Sequence, residues 1–168
     1  MRALVQRVRR AAVYVVEDDE AAGGPPGTPA GQIGRGFAVL LGVSRTDTPA
    51  DARSLAGRVA TLRVFGDAAG RLNRSVTDVG GEVLSIPQFT LYADTAGGRR
   101  PSFVEAAPPE QAEPLYRLFN ETLAASGVPV VPGRFRTHMI VEIHNDGPVT
   151  VMLETERPVR SGPPGASR

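Results

Sequence analysis

A glycine-proline pair, Gly147-Pro148, lies between two segments that both have the composition of β-strands. The segment "HMIVEI" (138–143) precedes the pair, and "VTVML" (149–153) follows it. Proline has no N–H to donate to a sheet, and glycine is the residue least restricted in φ, so the pair does not suit a regular central strand. We therefore expect two strand-like runs that are broken at the pair.

A second interruption occurs at Pro87, within "GGEVLSIPQFTLYAD" (80–94), which otherwise predicts a glycine turn that leads into a long strand. The polar islands "PQFT" (87–90) and "NDGPVT" (145–150) each fit a bulge in an edge strand. Two such islands in one small domain also favour a functional role. The residues alone leave both interpretations open.

Most of the remaining patterns predict β-structure. Two short runs at the N-terminus, "RALVQRV" (2–8) and "AAVYVV" (11–16), predict two strands, and "GFAVLLGVS" (36–44) is a continuous apolar run typical of a buried strand. Many strands with only two predicted helices indicate an α+β domain, which consists mostly of sheet with helices packed on it.

The two helices have clear start and stop signals. The first begins with Thr48 as the N-cap, Pro49 at the first helical position and Asp51 in the place of a capping-box acid. The second lies in "PPEQAEPLYRLFNETLAASG" (108–127), where apolar residues recur at helical spacing and Gly127 predicts the end.

Length and composition predict one cytoplasmic domain. With 168 residues and 41% hydrophobic content, the chain suits a single domain over residues 1–157. We interpret residues 17–31 as a mobile insertion and residues 158–168 as a disordered tail, because both are rich in Pro and Gly. No long apolar run or signal peptide is present, so we expect no membrane association. The absence of Cys excludes disulfides and Cys-ligated metals.

Conventional catalytic motifs are absent from the sequence. His138 and His144 would share one face of a strand with Glu142, but this spacing indicates a structural role more than a metal site. There is no G-x-S-x-G elbow, P-loop or G-x-G-x-x-G motif. All basic residues are Arg, and "GRRPSF" (98–103), with Arg99 and Arg100, fits either a loop that docks a phosphate backbone or a plain surface loop.

Several motifs together give the chain a resemblance to a known family. They run in order over residues 1–154 as "MRALVQRV", "IGRGFAVLLGVS", "LRVF", "DVGGEVL", "QFTLYADTAGGRRPSF", "AAPPEQAEPLYRLF", "GVPVVPGRF" and "NDGPVTV". In these motifs the chain closely resembles the D-aminoacyl-tRNA deacylases, which remove D-amino acids from tRNA. The resemblance implies a barrel-like antiparallel or mixed sheet with two packed helices, a homodimer, and no metal or cofactor.

The resemblance also implies roles for particular residues. In this family the Gly-Pro bond is cis, and the carbonyls of Gly147 and Pro148 project into the partner subunit's pocket, where they inspect the α-carbon of the substrate. A main-chain selector of this kind accepts a D-amino acid and collides with an L side chain, so glycine mischarged on tRNA is also an expected substrate. The remaining implied roles are a catalytic wall (Gln88, Phe89, Thr90), selector support (Arg7), an adenosine pocket (Phe135, Met139) and tRNA contacts (Arg99, Arg100).

Two questions stay open at this stage. The nucleophile is either Thr90 Oγ or a water activated with help from the ribose 2′-hydroxyl, and we favour the water because no base is near Thr90 in sequence. The usual motif begins with serine, whereas this chain has Pro87, as does a related branch that clears L-alanine from mischarged tRNA. Deacylation of L-alanyl-tRNA and a non-catalytic tRNA-binding module are therefore the alternatives.

Overall fold

One long strand organises the sheet of the computed structural model, which describes residues 1–16 and 28–155. Strand β1 (Arg2–Val16) pairs antiparallel with β8 (His138–Glu154) along one edge. Along its other edge, its first half pairs with β3 (Gly36–Gly42) and its second half with β2 (Gly31–Ile33). The prediction of two separate N-terminal strands is therefore wrong, because one backbone ladder runs through both.

Two further strands extend the sheet by parallel pairing. Strand β6 (Glu82–Pro87) lies parallel to β3, and β7 (Val130–Pro132) lies parallel to β6. The mixed sheet curves into a nearly closed barrel with two helices, which confirms the predicted fold class. A small hairpin of β4 (Phe65–Gly66) and β5 (Leu72–Arg74) lies outside it.

The sheet has an apolar core on each face. On β3, Phe37, Val39 and Leu41 pack against α1 (Pro49–Thr61) and α2 (Pro109–Ala125), whereas Ala38 belongs to a second cluster on the opposite face. This division follows from the two-residue repeat of a strand, and both faces are apolar because the parallel part of the sheet is covered on both sides.

The helix boundaries follow the predicted signals. The backbone N–H of Thr48 donates to Asp51 Oδ2 at 2.9 Å, and the backbone N–H of Asp51 donates to Thr48 Oγ1 at 3.4 Å, which forms the capping box. The hydrogen bond from the Thr48 hydroxyl also holds the pKa of Asp51 below its ordinary value. Helix α2 ends before Gly127, whose φ of 84° lies in the left-handed region.

Two expectations for the strands are corrected. The segment 80–94 is not one long strand: β6 ends at Pro87, and a short 3₁₀ helix (Phe89–Tyr92) follows. Conversely, the two runs around Gly147-Pro148 belong to the single strand β8, because β1 pairs with residues on both sides of the interruption.

Two segments discussed above lie partly or wholly outside the described residues. These are the insertion at 17–31, of which only residues 28–31 are described, and the tail at 158–168. No described helix is both long and apolar enough to cross a membrane.

Replacing Thr48 with Ala should lower the free energy of unfolding by about 1 kcal/mol, because the variant loses the N-cap hydroxyl. Urea denaturation followed by circular dichroism measures the change. Thr61→Ala is the matched control, since Thr61 is on the same helix and its hydroxyl only donates back to the carbonyl of Gly57. An equal loss in both variants would contradict the capping argument.

Candidate active site and the Gly-Pro bulge

A cavity of about 640 Å³ lies where β6 ends and the 3₁₀ helix begins. The start of α2 and the loop that enters β8 form its other walls. Four of the predicted site residues line it together: Gln88, Phe89, Phe135 and Met139. Thr90 is not a lining residue, but it lies on the same turn and accepts a hydrogen bond from the Gln88 side-chain amide.

The turn that carries Gln88, Phe89 and Thr90 begins directly after Pro87, the last residue of β6. The N–H of Gln88 donates to Leu41 O at 2.8 Å, and the chain then turns into the 3₁₀ helix. The first N–H groups of a helix have no partner within it. Within the described part of the chain, the N–H groups of Phe89 and Thr90 have no backbone acceptor, so they are available to a ligand.

Contacts of Arg2 and Phe103 hold this turn in place. Arg2 donates to Leu91 O at 2.8 Å, and its guanidinium lies 4.5 Å from the centre of the Tyr92 ring. Phe89 is 58% exposed and packs edge-on against Phe103, with 5.0 Å between the ring centres. The turn is therefore anchored on β1, while one aromatic ring faces the opening of the cavity.

Tyr116 forms the buried wall of the cavity, opposite the turn. Its hydroxyl donates to Ser85 O at 2.8 Å and lies 3.3 Å from Gly133 O, so it connects α2 to β6 and to the loop before β8. Burial raises the pKa of Tyr116, which keeps this hydroxyl a donor. A Cβ on Gly133 would lie 2.9 Å from Ile86 Cδ1 and 3.2 Å from Met139 Sδ, so a larger residue there would require these side chains to shift.

Residues 146–149 form a bulge in β8, which we call the Gly-Pro bulge. Gln6 pairs with Thr150 and Val8 pairs with Asn145, so these four residues lie opposite the single residue Arg7. The Gly147-Pro148 peptide bond is cis, and Gly147 has a φ of 119°. The Asn145 amide closes the bulge by donating to Arg7 O at 2.8 Å and to Val149 O at 3.0 Å.

Arg7 supports the Gly-Pro bulge from beneath. Its Nε lies 3.2 Å from Asp146 Oδ2, and its Nη1 donates to Val64 O at 2.5 Å. A Cβ on Gly147 would lie 3.0 Å from Arg7 Nη2. Side chains of the same chain thus hold the bulge, yet Arg7, Gly147 and Pro148 are not among the residues that line the cavity.

Arg99 and Arg100 are exposed on the loop that follows the 3₁₀ helix. Paired backbone hydrogen bonds of 2.8 Å between Asp94 and Ser102 close this loop. Neither arginine lines the cavity, but the next aromatic residue, Phe103, does. The loop therefore carries two exposed cations and contributes Phe103 to the cavity.

Sequence reasoning missed several residues of the cavity. Tyr116 has the helical spacing of a core residue, and nothing in the pattern distinguishes its hydroxyl. Arg136 lines the cavity and has a φ of 59°, and His138, interpreted as structural, also lines it. Among the described residues, no group of three or more His, Cys, Asp or Glu side chains is placed to hold a metal ion.

Comparison with known proteins identifies the family. A family model described as D-Tyr-tRNA(Tyr) deacylase matches residues 4–154. The chain belongs to this deacylase family. A D-aminoacyl-tRNA deacylase from Deinococcus deserti is 54% identical over 154 residues, which cover 92% of this chain and 99% of that relative. The deacylase of the same name from Symbiobacterium thermophilum is 55% identical over 157 residues, which cover 94% and 97%.

Solved structures with the same fold extend the comparison. A protein called c-Myc DNA Unwinding Element Binding Protein is 40% identical, with a TM-score of 0.81 and coverage of 94% of this chain and 100% of that one. A probable eukaryotic D-amino acid tRNA deacylase is 18% identical, with a TM-score of 0.74 and coverage of 90% and 97%. At this lower identity the likeness concerns the fold alone. The resemblance drawn from the sequence motifs is confirmed at the level of the family.

Proposed function

We propose that the protein hydrolyses the ester bond of D-aminoacyl-tRNA and releases a free D-amino acid and tRNA. Family membership supports the reaction class. The observation that carries the proposal in this chain is the cavity that gathers Gln88, Phe89, Phe135 and Met139 beside a turn with available N–H groups. The catalytic domain spans residues 1–157, and its tRNA substrate favours action in the cytoplasm.

The two ends of the cavity suit the two ends of the substrate. Phe135 and Met139 give an apolar surface on which the terminal adenosine stacks. Gln88 and Phe89, at the other end, bind the aminoacyl group. Arg99 and Arg100 contact the tRNA backbone outside the cavity, where phosphate attraction is independent of sequence.

The N–H groups of Phe89 and Thr90 stabilise the oxyanion that develops when the ester is attacked. One such donor is worth about 3 to 4 kcal/mol in the transition state. Thr90 is not the nucleophile, because the partner of its hydroxyl is the amide N–H of Gln88, which cannot accept a proton. Water attacks instead, with assistance from the neighbouring ribose 2′-hydroxyl.

The Gly-Pro bulge acts as the chiral selector in the partner subunit of a homodimer. Gly147 and Pro148 are exposed and do not line the cavity of their own chain, which supports a role across an interface. Their carbonyls leave room for the hydrogen of a D-configured α-carbon and collide with an L side chain. Glycine has no side chain to reject, so glycine mischarged on tRNA is also a substrate.

A second candidate function has one specific observation in its favour. Pro87 lines the cavity in place of the usual serine, and its Cδ lies 3.4 Å from the Cβ position of Gly133. It gives the cavity an apolar ring where serine would supply a hydroxyl, as in the branch that clears L-alanine from tRNA. The remaining alternative is a tRNA-binding module without catalysis.

Incubation with D-tyrosyl-, L-tyrosyl- and L-alanyl-tRNA separates these functions. We expect rapid loss of the D-tyrosyl ester and stable L-tyrosyl ester, measured as the fraction of acylated tRNA that remains over time. Selective loss of the L-alanyl ester would establish the alternative activity. Retention of all three esters by a protein that binds tRNA would overturn the proposed hydrolysis.

Thr90→Ala should retain at least about a tenth of the wild-type kcat/KM for D-tyrosyl-tRNA, because the backbone donors stay in place. Removal of a side-chain nucleophile instead costs on the order of a thousandfold or more. Thr90→Ser is the matched control and should behave like the wild type. A folded Thr90→Ala protein without activity, beside an active Thr90→Ser protein, would show that the hydroxyl is the nucleophile.

Gly147→Ala should lower kcat/KM for D-tyrosyl-tRNA at least about tenfold while the subunit stays folded, because a Cβ at a φ of 119° is strained and meets Arg7. Gly57→Ala is the control, since no atom lies within 4 Å of a Cβ added there. Unchanged activity and D/L selectivity in Gly147→Ala would count against the selector.

A further inference from the structure

A second cavity of about 400 Å³ adjoins the candidate active site. Tyr116 and Phe135 line both cavities, and their ring centres lie 6.0 Å apart. The second cavity lies between α2 and β7, and it is not assigned a role by the proposed reaction. An aromatic wall with a cavity on each side suits two flat groups that are close together in one ligand.

The second cavity contains a polar group that lacks a partner. Asn120 Oδ1 is buried and accepts no hydrogen bond from the described residues. The Asn120 side chain interacts with the neighbouring Tyr116 hydroxyl. That hydroxyl donates to Ser85 O at 2.8 Å, so its hydrogen is already used and is not available to Asn120 Oδ1. Because an unsatisfied buried acceptor costs free energy, a ligand that brings an N–H donor to Asn120 would be stabilised.

The rest of the lining narrows the chemistry of the ligand. The lining also includes apolar residues (Ala124, Val130, Pro132) and charged residues of α2, namely Glu113 and Glu121 with one guanidinium, Arg117. The carboxylates outnumber the cation, and the buried Asn120 oxygen adds a further acceptor. A flat group that enters this cavity is bound best when one of its N–H groups faces Asn120 Oδ1 or a carboxylate of α2. The exocyclic amine of cytosine donates hydrogen bonds to carboxylate and amide oxygens, whereas uracil has a carbonyl at the same place and cannot donate to Asn120 Oδ1.

We propose that this cavity binds the cytosine of the nucleotide that precedes the terminal adenosine of tRNA. The inference rests on the proposed function, which puts that adenosine on the other side of Phe135. The tRNA 3′ end is single-stranded and ends in cytidine followed by adenosine, and successive bases of a single strand stack readily on aromatic side chains. Phe135 then separates the two bases, and Asn120 Oδ1 accepts from the cytosine amine.

Three small substrates test the cytosine site with the whole protein: the D-tyrosyl esters of adenosine, of cytidylyl-adenosine and of uridylyl-adenosine. We expect the cytidylyl ester to have about a tenfold higher kcat/KM than the adenosine ester, through a lower KM, because one stacked and hydrogen-bonded base is added. Relative to the adenosine ester, the uridylyl ester should show a smaller increase in kcat/KM than the cytidylyl ester.

Two variants locate the effect in this cavity. Asn120→Ala removes the acceptor, and Ala124→Leu fills the space from the exposed surface of α2; both should abolish the cytidylyl advantage and change hydrolysis of the adenosine ester less than about twofold. Ala125→Leu is the matched control, because Ala125 is also exposed on α2 but does not line the cavity. It should keep the full advantage.

The outcomes distinguish this inference from the proposed function. Hydrolysis of all three esters with equal kcat/KM by the wild type would overturn the cytosine site alone. An equal advantage in Ala124→Leu and Ala125→Leu would also overturn it. If none of the esters, nor D-tyrosyl-tRNA itself, were hydrolysed, the proposed function would fail and the cytosine site with it.

Discussion

The pairing of β1 with β8 is the interaction on which the other features depend. Strand β1 holds β8 along one edge and β2 and β3 along the other, so it fixes the positions of the Gly-Pro bulge and of the strands that lead to the cavity. The same ladder changes register at Arg7, and the Asn145 amide replaces the missing backbone hydrogen bonds there. A sheet can tolerate an unpaired excursion of this kind only where side chains satisfy its polar groups.

Both interruptions of strand structure are prolines, and each has a different structural result. Pro87 ends β6 at the point where the next N–H turns back to Leu41 O, which begins the 3₁₀ helix and leaves N–H groups available. Pro148 lies within β8, and the ladder resumes beyond it because β1 is long enough to pair on both sides. The difference lies in the neighbouring strand and not in the proline itself.

The sequence predicted correctly those elements whose bounds depend on residues close together in the chain. The capping box at Thr48, the buried strand at 36–44 and the ends of both helices follow from hydrogen-bonding groups a few residues apart. The single β1, the end of β6 and the continuity of β8 depend on partners far away in sequence, and no local pattern shows them. The same holds for the site: family motifs located Gln88, Phe89, Phe135 and Met139, whereas Tyr116 and Arg136 join them only through the tertiary fold.

The pairing of Arg2 with Glu154 also bears on how the protein folds. The two edges of the central ladder come from opposite ends of the described chain, and the strands between them add parallel pairs, so the mean sequence separation of contacts is high. Chains dominated by such non-local contacts fold slowly, because loop closure costs entropy before the contacts compensate for it. Arg7 and the Gly-Pro bulge, which lie on these two strands, can thus meet only late in folding. In a newly made chain, the bulge therefore forms only after the strands from its two ends have paired.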